Sequence, residues 1–188
     1  MSQPLVWIDL EMTGLDPETE VIVEIATVVT DGQLEQVEQG PDLVIGAPEA
    51  ALDGMVDVVQ RMHARSGLIE EIRASDRTVE QAEAETLAFV RDLVPNPSSA
   101  PLAGNSVHAD RMFLRRYMPT LEAYLHYRNV DVSTFKEVAR RWRPQLLDDA
   151  PEKSERHRAL DDILESIVEL RFYRDRLFGD VGAGGSAS

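Results

Sequence analysis

Two apolar segments close to the N-terminus constrain the fold more than any other feature of this sequence. Residues 4–10 form a short apolar run beside acidic residues, and residues 21–30 are rich in β-branched side chains. Both patterns predict buried β-strands. The Asp31-Gly32 pair then favours a hairpin into a third strand over residues 34–45. Three consecutive strands therefore open the fold.

Helices dominate the remainder of the chain. The pattern predicts a helix over 78–93, a short strand over 102–105, a helix from there to 117, a strand over 129–132 and a long helix over 157–177. We expect Asn105 or Ser106 to cap the helix that ends at 117, and Ser133 to cap the helix that follows the last strand. The order of elements predicts one α/β domain over residues 1–180, a mixed β-sheet flanked by helices. Residues 181–188 are rich in Gly and Ser and are expected to be a disordered tail.

The acidic composition limits the partners that this chain can bind. The net charge is −15, and residues 1–60 hold 13 acidic residues and no Lys or Arg. Such a chain gains little from counterion release on long nucleic acid, whereas clustered carboxylates attract divalent cations. No apolar run is long enough to span a bilayer, and the absence of cysteine excludes disulfides and thiolate sites. With no targeting segment visible, we expect a cytoplasmic protein.

Asp9 and Glu11 are the first candidates for a functional site. Residues i and i+2 of a strand point the same way, so both carboxylates project from one face of the first strand. Two acids on a buried strand repel each other and lose hydration, and a divalent metal ion is the natural compensation. The alternative is that the end of this strand is solvated and that both acids lie at its rim.

Asp110 and the segment 157–162 extend this acidic set. Four residues separate His157 from Asp162, which lies at the start of the predicted last helix. Each residue has an ordinary explanation when taken singly, because a helix dipole favours acids in the first turn and a histidine there can be a cap. Taken together with Asp9 and Glu11, they form a set of four carboxylates and one imidazole.

Longer sequence blocks surround these residues. The blocks are WIDLEMTGL at 7–15, GNS at 104–106, YMP at 117–119, DVST at 131–134 and HRALDDI at 157–163. In this order they resemble the DEDD exonucleases of the subclass with a catalytic histidine, and within that subclass the oligoribonuclease family. The resemblance extends over about residues 4–178. The short Asp-x-Glu and His-x4-Asp patterns are weak alone, whereas the long blocks are specific.

The resemblance implies a ribonuclease H-like fold and a 3′-to-5′ exoribonuclease that cuts short RNA, especially dinucleotides, to 5′-mononucleotides. It also implies two divalent metal ions, Mg²⁺ or Mn²⁺, which stabilise charge on the attacking and leaving oxygens. The expected ligands are Asp9, Glu11, Asp110 and Asp162. Asp9 is expected to bridge the ions, and the family spacing favours Asp162 over Asp161. His157 would be the general base, since imidazole titrates near neutral pH.

The resemblance further implies how a short RNA is held. A polar cap would bind the 5′-phosphate and limit the length of the substrate. The matching cap residues are His63, Ser106, Arg128, Ser133 and Thr134. Arg128 can grip a phosphate with two hydrogen bonds, and residues 110–143 hold eight basic and four acidic residues. Leu15 would wedge between the two bases, although on the sequence alone it can equally be a turn residue that packs on the core.

The family builds this cap across a homodimer. Tyr127, Arg128, Ser133 and Thr134 would therefore reach the site of a partner subunit, and residues 124–127 offer aromatic surface for the interface. The alternative for Tyr124 and Tyr127 is that they are ordinary half-buried residues. A membrane and long duplex nucleic acid are not expected as partners.

One position departs from the family pattern. Many relatives carry an aromatic stacking residue five positions before the histidine that matches His63, and this chain has Val58 there. Base stacking contributes about 1–3 kcal/mol per base. Either another side chain supplies the stacking platform, or the substrate is held more loosely.

Two other classes of function compete with this interpretation. One is a 3′-to-5′ DNA exonuclease of the same superfamily, and the other is a non-catalytic nucleotide-binding module on the same fold. A pure binding module would gain nothing from four clustered acids. A metal-binding structural protein would account for neither His157 nor the basic residues in 110–143.

Overall fold

A five-stranded sheet lies at the centre of the part of the chain that the structure, a computed structural model, describes: residues 1–151 and 157–179. The strands are β1 (Leu5–Met12), β2 (Ile22–Thr30), β3 (Val37–Val44), β4 (Pro101–Gly104) and β5 (His126–Asp131). Their order is β3-β2-β1-β4-β5; the β1–β2 and β2–β3 pairs are antiparallel, and the β1–β4 and β4–β5 pairs are parallel. The predicted mixed sheet is confirmed, although its third strand begins at Val37, later than expected.

Helices cover both faces of this sheet. They are α1 (Glu49–Asp53), α2 (Asp57–Ser66), α3 (Leu68–Ala74), α4 (Val79–Leu93), α5 (His108–Tyr117), α6 (Pro119–Tyr124), α7 (Val132–Trp142) and α8 (Ala159–Phe178). A 3-10 helix spans Pro144–Asp149. The arrangement is a single α/β domain with helix, sheet and helix layers, as the order of elements predicted.

Alternation along β1 determines where the site forms. Val6, Ile8 and Leu10 pack with buried residues of α4, α5 and α6. Trp7 packs in a second core cluster with residues of α7 and α8. The strand is apolar on both faces because helices cover both. Since side chains alternate along a strand, Asp9 and Glu11 follow Trp7 on the face that α8 covers.

Helix starts differ from the sequence predictions. The Ser133 cap was wrong: Asp131 at the end of β5 caps α7, and its side chain accepts from the N–H of Ser133, which lies inside the helix. The cap predicted for α5 was also wrong, because that helix begins after Val107 without a side-chain cap. The last helix begins at Ala159 rather than at His157. At α7 the cap is the local Asp131, two residues before the predicted Ser133, and only at α8 does a carboxylate that is remote in the sequence, Glu24, accept the first helix N–H.

The segment between β3 and α4 forms three helices that the sequence did not predict. α1 and α3 are too short to show a helical period, and α2 buries only His63. α1 and α3 pack on Val23 of β2 through Leu52, Leu68 and Ile72, and α2 adds the partly buried Val59. This small cluster places α2 and α3 beside the end of β1, where the acids lie.

Among the described residues, no helix combines the length and the apolar character that crossing a membrane requires. The tail predicted over 181–188 lies outside the described residues. The described part of the last helix ends at Phe178.

Candidate active site

Carboxylates from β1 and α8 meet at one point. Oxygen atoms of Asp9, Glu11 and Asp162 all lie within 4.8 Å of one another. β1 supplies the first two from one face, and α8 supplies the third from its first turn. Residues from the two ends of the sequence thereby form one group of oxygen ligands.

The packing of α8 places Asp162 in this group. Ile163 and Ile167 are buried in the core cluster that also contains Trp7, which sets the rotation of the helix about its axis. Ser166 closes the same turn, because its hydroxyl donates to the carbonyl oxygen of Asp162 at 2.7 Å. The neighbouring Asp161 does not belong to the cluster formed by Asp9, Glu11 and Asp162.

Asp110 reaches the site from α5. Its Oδ1 accepts a hydrogen bond from the backbone N–H of Leu10 at 3.1 Å, and its side chain is buried. Leu10 lies between the two acids of β1, so this bond fastens α5 to the strand segment that carries them. Asp110 lies beside the cluster of Asp9, Glu11 and Asp162, but it is not among the residues whose oxygens lie within 4.8 Å of one another.

Burial and mutual repulsion raise the pKa values of these carboxyl groups. Burial, and then the charges of Asp110 and Asp162, raise the pKa of Asp9 well above its ordinary value. Burial, and then Asp162 and Glu24, raise the pKa of Glu11 to about 8. Burial likewise raises the pKa of Asp110 to about 7, although a hydrogen bond from β1 opposes the shift. A divalent cation would offset this repulsion, and a buried site with only oxygen donors suits a hard cation.

Two histidines lie close to the carboxylates. His63 is fully buried; its Nε2 lies 2.9 Å from the carbonyl oxygen of Met12, and its Nδ1 lies 3.8 Å from Oε2 of Glu11. Burial lowers the pKa of His63, which favours a neutral ring that donates through Nε2. His157 is exposed, has a φ of +48° and immediately precedes the cap of α8. A charge on His157 further lowers the pKa of His63, so the two rings share one region.

Asp131 brings together two of the predicted cap residues. Its Oδ1 accepts from the backbone N–H of Ser106 at 3.0 Å, from that of Ser133 at 3.0 Å and from the Ser133 hydroxyl at 2.5 Å. β4 and β5 are parallel and pair Gly104 with Asp131, so both serines lie at the carboxyl ends of neighbouring strands. Thr134 follows Ser133 in the first turn of α7.

Tyr127 and Arg128 lie on β5, one of the two edge strands of the sheet. Tyr127 is 71% exposed, and the guanidinium carbon of Arg128 lies 5.3 Å from the centroid of its ring. Arg111 of α5 holds the backbone of this strand: its guanidinium donates to the carbonyl oxygens of His126, Tyr127 and Arg128 at 2.9, 3.3 and 3.4 Å. The helix that carries Asp110 therefore also fixes the edge strand.

Leu15 is 74% exposed in the loop between β1 and β2, so it does not pack on the core as an ordinary turn residue would. This loop is held by Tyr117 of α5, whose hydroxyl lies 3.2 Å from the carbonyl oxygen of Pro17 and 2.6 Å from that of Glu20. Val58, the position that departs from the family pattern, is 64% exposed on α2. Both apolar side chains are thus free to contact another molecule.

The fold and the cluster of Asp9, Glu11 and Asp162 are those of an exonuclease. The model of the exonuclease family RNase_T matches residues 6–170. The chain is 54% identical to the oligoribonuclease of Pseudomonas paraeruginosa, with 92% of this chain and 95% of the relative covered. It is 53% identical to the oligoribonuclease of Streptomyces avermitilis (95% and 88% covered) and 51% identical to the mitochondrial oligoribonuclease of Homo sapiens (95% and 75% covered). The chain belongs to the oligoribonuclease family.

Solved structures confirm the ribonuclease H-like fold. Escherichia coli exonuclease I in complex with a dT13 oligonucleotide superposes with a TM-score of 0.66 at 17% identity, covering 95% of this chain and 43% of that one. Exonuclease I of Methylocaldum szegediense gives a TM-score of 0.62 at 19% identity, covering 92% and 40%. The chain therefore spans less than half the length of these exonucleases, and the likeness concerns the fold.

Sequence reasoning missed three polar residues that organise the site: Glu24, Arg111 and Asp131. Asp131 carried a readable signal, because an Asp two residues before a Ser at a strand–helix junction is a typical N-cap. Glu24 and Arg111 carried no such signal, since their partners are remote in the sequence. Glu24 lies in a run that otherwise reads as the interior of a strand.

Proposed function

We propose that this protein is a 3′-to-5′ exoribonuclease that hydrolyses short oligoribonucleotides, especially dinucleotides, to 5′-mononucleotides. The observation that carries the proposal is the meeting of Asp9, Glu11 and Asp162 within 4.8 Å in a chain 54% identical to an oligoribonuclease. Hydrolysis of a phosphodiester develops negative charge on both the attacking and the leaving oxygen. A group of hard oxygen ligands is what a cation pair at such a centre requires.

Two Mg²⁺ or Mn²⁺ ions are the proposed cofactors. When bound, such ions lower the pKa of water and stabilise the charge that develops on the phosphate oxygens. The proposed ligands are Asp9, Glu11, Asp110 and Asp162. Asp9 would bridge the ions, because the charges of Asp110, Asp162 and Glu11 all act on it, and Asp110 is oriented by the N–H of Leu10. Burial raises the pKa values of Asp9, Glu11 and Asp110, and repulsion between neighbouring carboxylates adds to this; a bound cation would offset both effects and release the protons, which supports this assignment.

His157 is the proposed general base. Its ring is exposed, so a water molecule can reach it, and its position just before α8 keeps it close to the turn that carries Asp162. His63 is less suited to this task, because its ring is buried and its Nε2 is engaged with the carbonyl oxygen of Met12. His63 is proposed instead to contribute to substrate binding.

A polar cap on the 5′-phosphate is the proposed basis of selectivity for short RNA. The proposed cap includes Ser106 and Ser133, and in each chain Asp131 holds these two serines in place. Arg128 would add a charge-assisted grip on the phosphate, and Thr134 a further hydroxyl. A substrate longer than a few nucleotides would have to extend past the cap.

The cap is proposed to form across a homodimer. Tyr127 and Arg128 lie on an exposed edge strand, and aromatic and arginine side chains are enriched in protein interfaces. In this arrangement Tyr127, Arg128, Ser133 and Thr134 act in the site of the partner subunit. Sedimentation that finds a fully active monomer would refute the shared site.

Base contacts would complete substrate binding. Leu15 is proposed to insert between the bases of a dinucleotide, because it is exposed on a loop that Tyr117 anchors. Val58 offers only a small apolar surface where the family pattern has an aromatic ring. A cytoplasmic location also stays a prediction, since the relatives include proteins named as mitochondrial.

A DNA exonuclease is the second candidate. It is favoured by the similarity to an exonuclease whose structure contains a dT13 oligonucleotide. A non-catalytic module is disfavoured, because buried carboxylates that raise one another's pKa destabilise a fold that has no use for a cation.

The deciding experiment is a length series of 5′-phosphorylated RNAs, from dinucleotide to decamer, beside single-stranded DNA of the same sequences. We expect the RNA dinucleotide to be cut fastest with Mg²⁺ or Mn²⁺, and all cleavage to stop in EDTA. The Asp9→Ala variant is the negative control for a contaminating nuclease. Faster cleavage of the DNA series would favour the second candidate, and cleavage that is unaffected by EDTA would remove the metal from the proposal.

A further inference from the structure

Glu24 lies beside the cluster of Asp9, Glu11 and Asp162, but it is not one of the three residues of that cluster. It is on β2, where the sheet register pairs it with Glu11 of β1, and its side chain is fully buried. A buried carboxylate is stable only when other groups satisfy its charge and hydrogen bonds. The partners of Glu24 lie at the start of α8. One of them is Arg158, which is 134 residues later in the sequence.

Both carboxylate oxygens of Glu24 bind this segment. Oε2 accepts the backbone N–H of Ala159 at 3.1 Å. Oε1 lies 2.8 Å from Nε and 2.7 Å from Nη2 of Arg158. Arg158 is the cap residue of α8 and provides no side-chain cap of its own. Glu24 therefore satisfies, from β2, a helix N–H that a cap side chain would normally bind.

Arg158 is held from a second side by Glu71 of α3. Its Nη1 and Nη2 donate to the two carboxylate oxygens of Glu71 at 2.9 and 2.8 Å. α3 is itself fixed to β2, because Leu68 and Ile72 pack with Val23. The guanidinium thus connects β2, α3 and the start of α8 in one network.

The same segment sets the position of two proposed active-site residues. His157 precedes Arg158 directly, and the N–H of Asp162 donates to the carbonyl oxygen of Arg158 at 3.0 Å. A shift of Arg158 would therefore move both its neighbour His157 and the first turn of α8, which carries Asp162. The bonds of Glu24 add polar contacts to the apolar packing of Ala159 on β2, the neighbour of the strand that carries Asp9 and Glu11.

We propose that Glu24 is a positioning residue for the active site: through Arg158 and Ala159 it fixes the start of α8, so that Asp162 reaches Asp9 and Glu11. The proposal rests on the proposed function for its effect on hydrolysis, whereas its effect on metal binding can be measured separately. Groups that orient metal ligands from outside the ligand set commonly change metal affinity or activity by about 10- to 100-fold when they are lost.

The first test replaces Glu24 by its uncharged isostere. Glu24→Gln should lower kcat on an RNA dinucleotide by about 10- to 100-fold and leave KM nearly unchanged. Calorimetric titration with Mn²⁺ in the absence of substrate should show a comparable loss of affinity. Glu70→Gln is the matched control, because Glu70 lies on α3 and pairs with Arg73 at 3.1 Å at the surface. Wild-type kcat and Mn²⁺ affinity in Glu24→Gln would overturn the proposal.

A second test separates positioning from simple support of the fold. Arg158→Met leaves Glu24 buried without its cation and should lower the melting temperature. The double variant Glu24→Gln/Arg158→Met removes both charges and should melt closer to the wild type. Positioning predicts that kcat and Mn²⁺ affinity stay low in the double variant. If both return together with the melting temperature, the network is only structural and the proposal is wrong.

The two proposals fail in distinguishable ways. A wild-type protein that does not cut RNA dinucleotides would contradict the proposed function. The Mn²⁺ titrations and the melting temperatures of the same variants would still decide whether Glu24 positions the ligands.

Discussion

Asp110 accepts a hydrogen bond from the backbone N–H of Leu10 at 3.1 Å, and this bond joins the central part of the sequence to its first strand. β1, α5 and α8 each contribute carboxylates to the site, and each is packed into a core cluster. No ligand candidate among the described residues lies on a loop. Sites built on packed elements hold their geometry more closely than sites built on loops, which suits a centre that must place metal ions accurately.

Asp162 and Asp161 are adjacent acids that should differ sharply in function. Asp162→Ala should abolish hydrolysis, because it removes a member of the 4.8 Å carboxylate group, whereas Asp161→Ala should retain most activity. Loss of one repelling acid should leave the melting temperature in EDTA unchanged or raised, so inactivity would not reflect unfolding. Steady-state cleavage of a dinucleotide and thermal melting check both points. Equal loss of activity in the two variants would contradict the assignment of Asp162.

The stability of the metal-free protein should fall as the pH rises from about 5 to 8. The pKa of Glu11 is raised to about 8 and that of Asp110 to about 7, mainly by burial. Between their ordinary and raised pKa values the folded state binds more protons than the unfolded state, so the free energy of unfolding decreases with pH, by on the order of a few kcal/mol. Saturating Mg²⁺ should remove most of this decrease.

Thermal melting in EDTA and in Mg²⁺ across this pH range measures the effect. The shift that Mg²⁺ produces should be larger at the alkaline end, where no proton competes for the carboxylates. Glu11→Gln should flatten the pH dependence in EDTA. The prediction is wrong if the melting temperature in EDTA is constant over the range or if Mg²⁺ acts equally at both ends.

The acids of the site could be predicted from the sequence, whereas the groups that hold them could not. Asp9 and Glu11 follow from alternation along the short apolar strand at the N-terminus, whereas Asp110, His157 and Asp162 were assigned through the resemblance of longer sequence blocks to a known family. Glu24 is different, because its partner Arg158 is 134 residues away and no local period signals such a pair. The helices between β3 and α4 were missed for a related reason. Their few apolar residues pack on Val23, and that contact exists only in the folded chain.

Arg111 should be far more important for stability than its neighbour Arg115. Its side chain is 7% exposed, bonds Glu122 at 2.9 Å and binds the carbonyl oxygens of β5. Arg111→Leu leaves these acceptors unpaired and should lower the free energy of unfolding by about 3–5 kcal/mol. Arg115 bonds the same Glu122 at 3.1 Å but is 64% exposed, so Arg115→Leu should cost less than about 1 kcal/mol. Urea unfolding of the two variants compares them, and equal losses would contradict a special role for the buried guanidinium.

Val58 offers a gain-of-function test of the substrate site. The resemblance predicts an aromatic ring at this position, and Val58 is 64% exposed on the helix that carries His63. Val58→Trp should add base stacking of about 1–3 kcal/mol and lower KM for a dinucleotide by roughly 5- to 150-fold, with little change in kcat if the ring binds ground state and transition state alike.

Val56→Trp is the matched control for this variant. Val56 is 62% exposed and precedes the first residue of α2, so the substitution adds the same aromatic surface close by. Only Val58→Trp should lower KM, because stacking requires the ring to meet the base face at one position. Equal improvement in both variants would show non-specific attraction to an aromatic surface. No improvement in Val58→Trp would contradict the prediction that position 58 faces a base of the substrate.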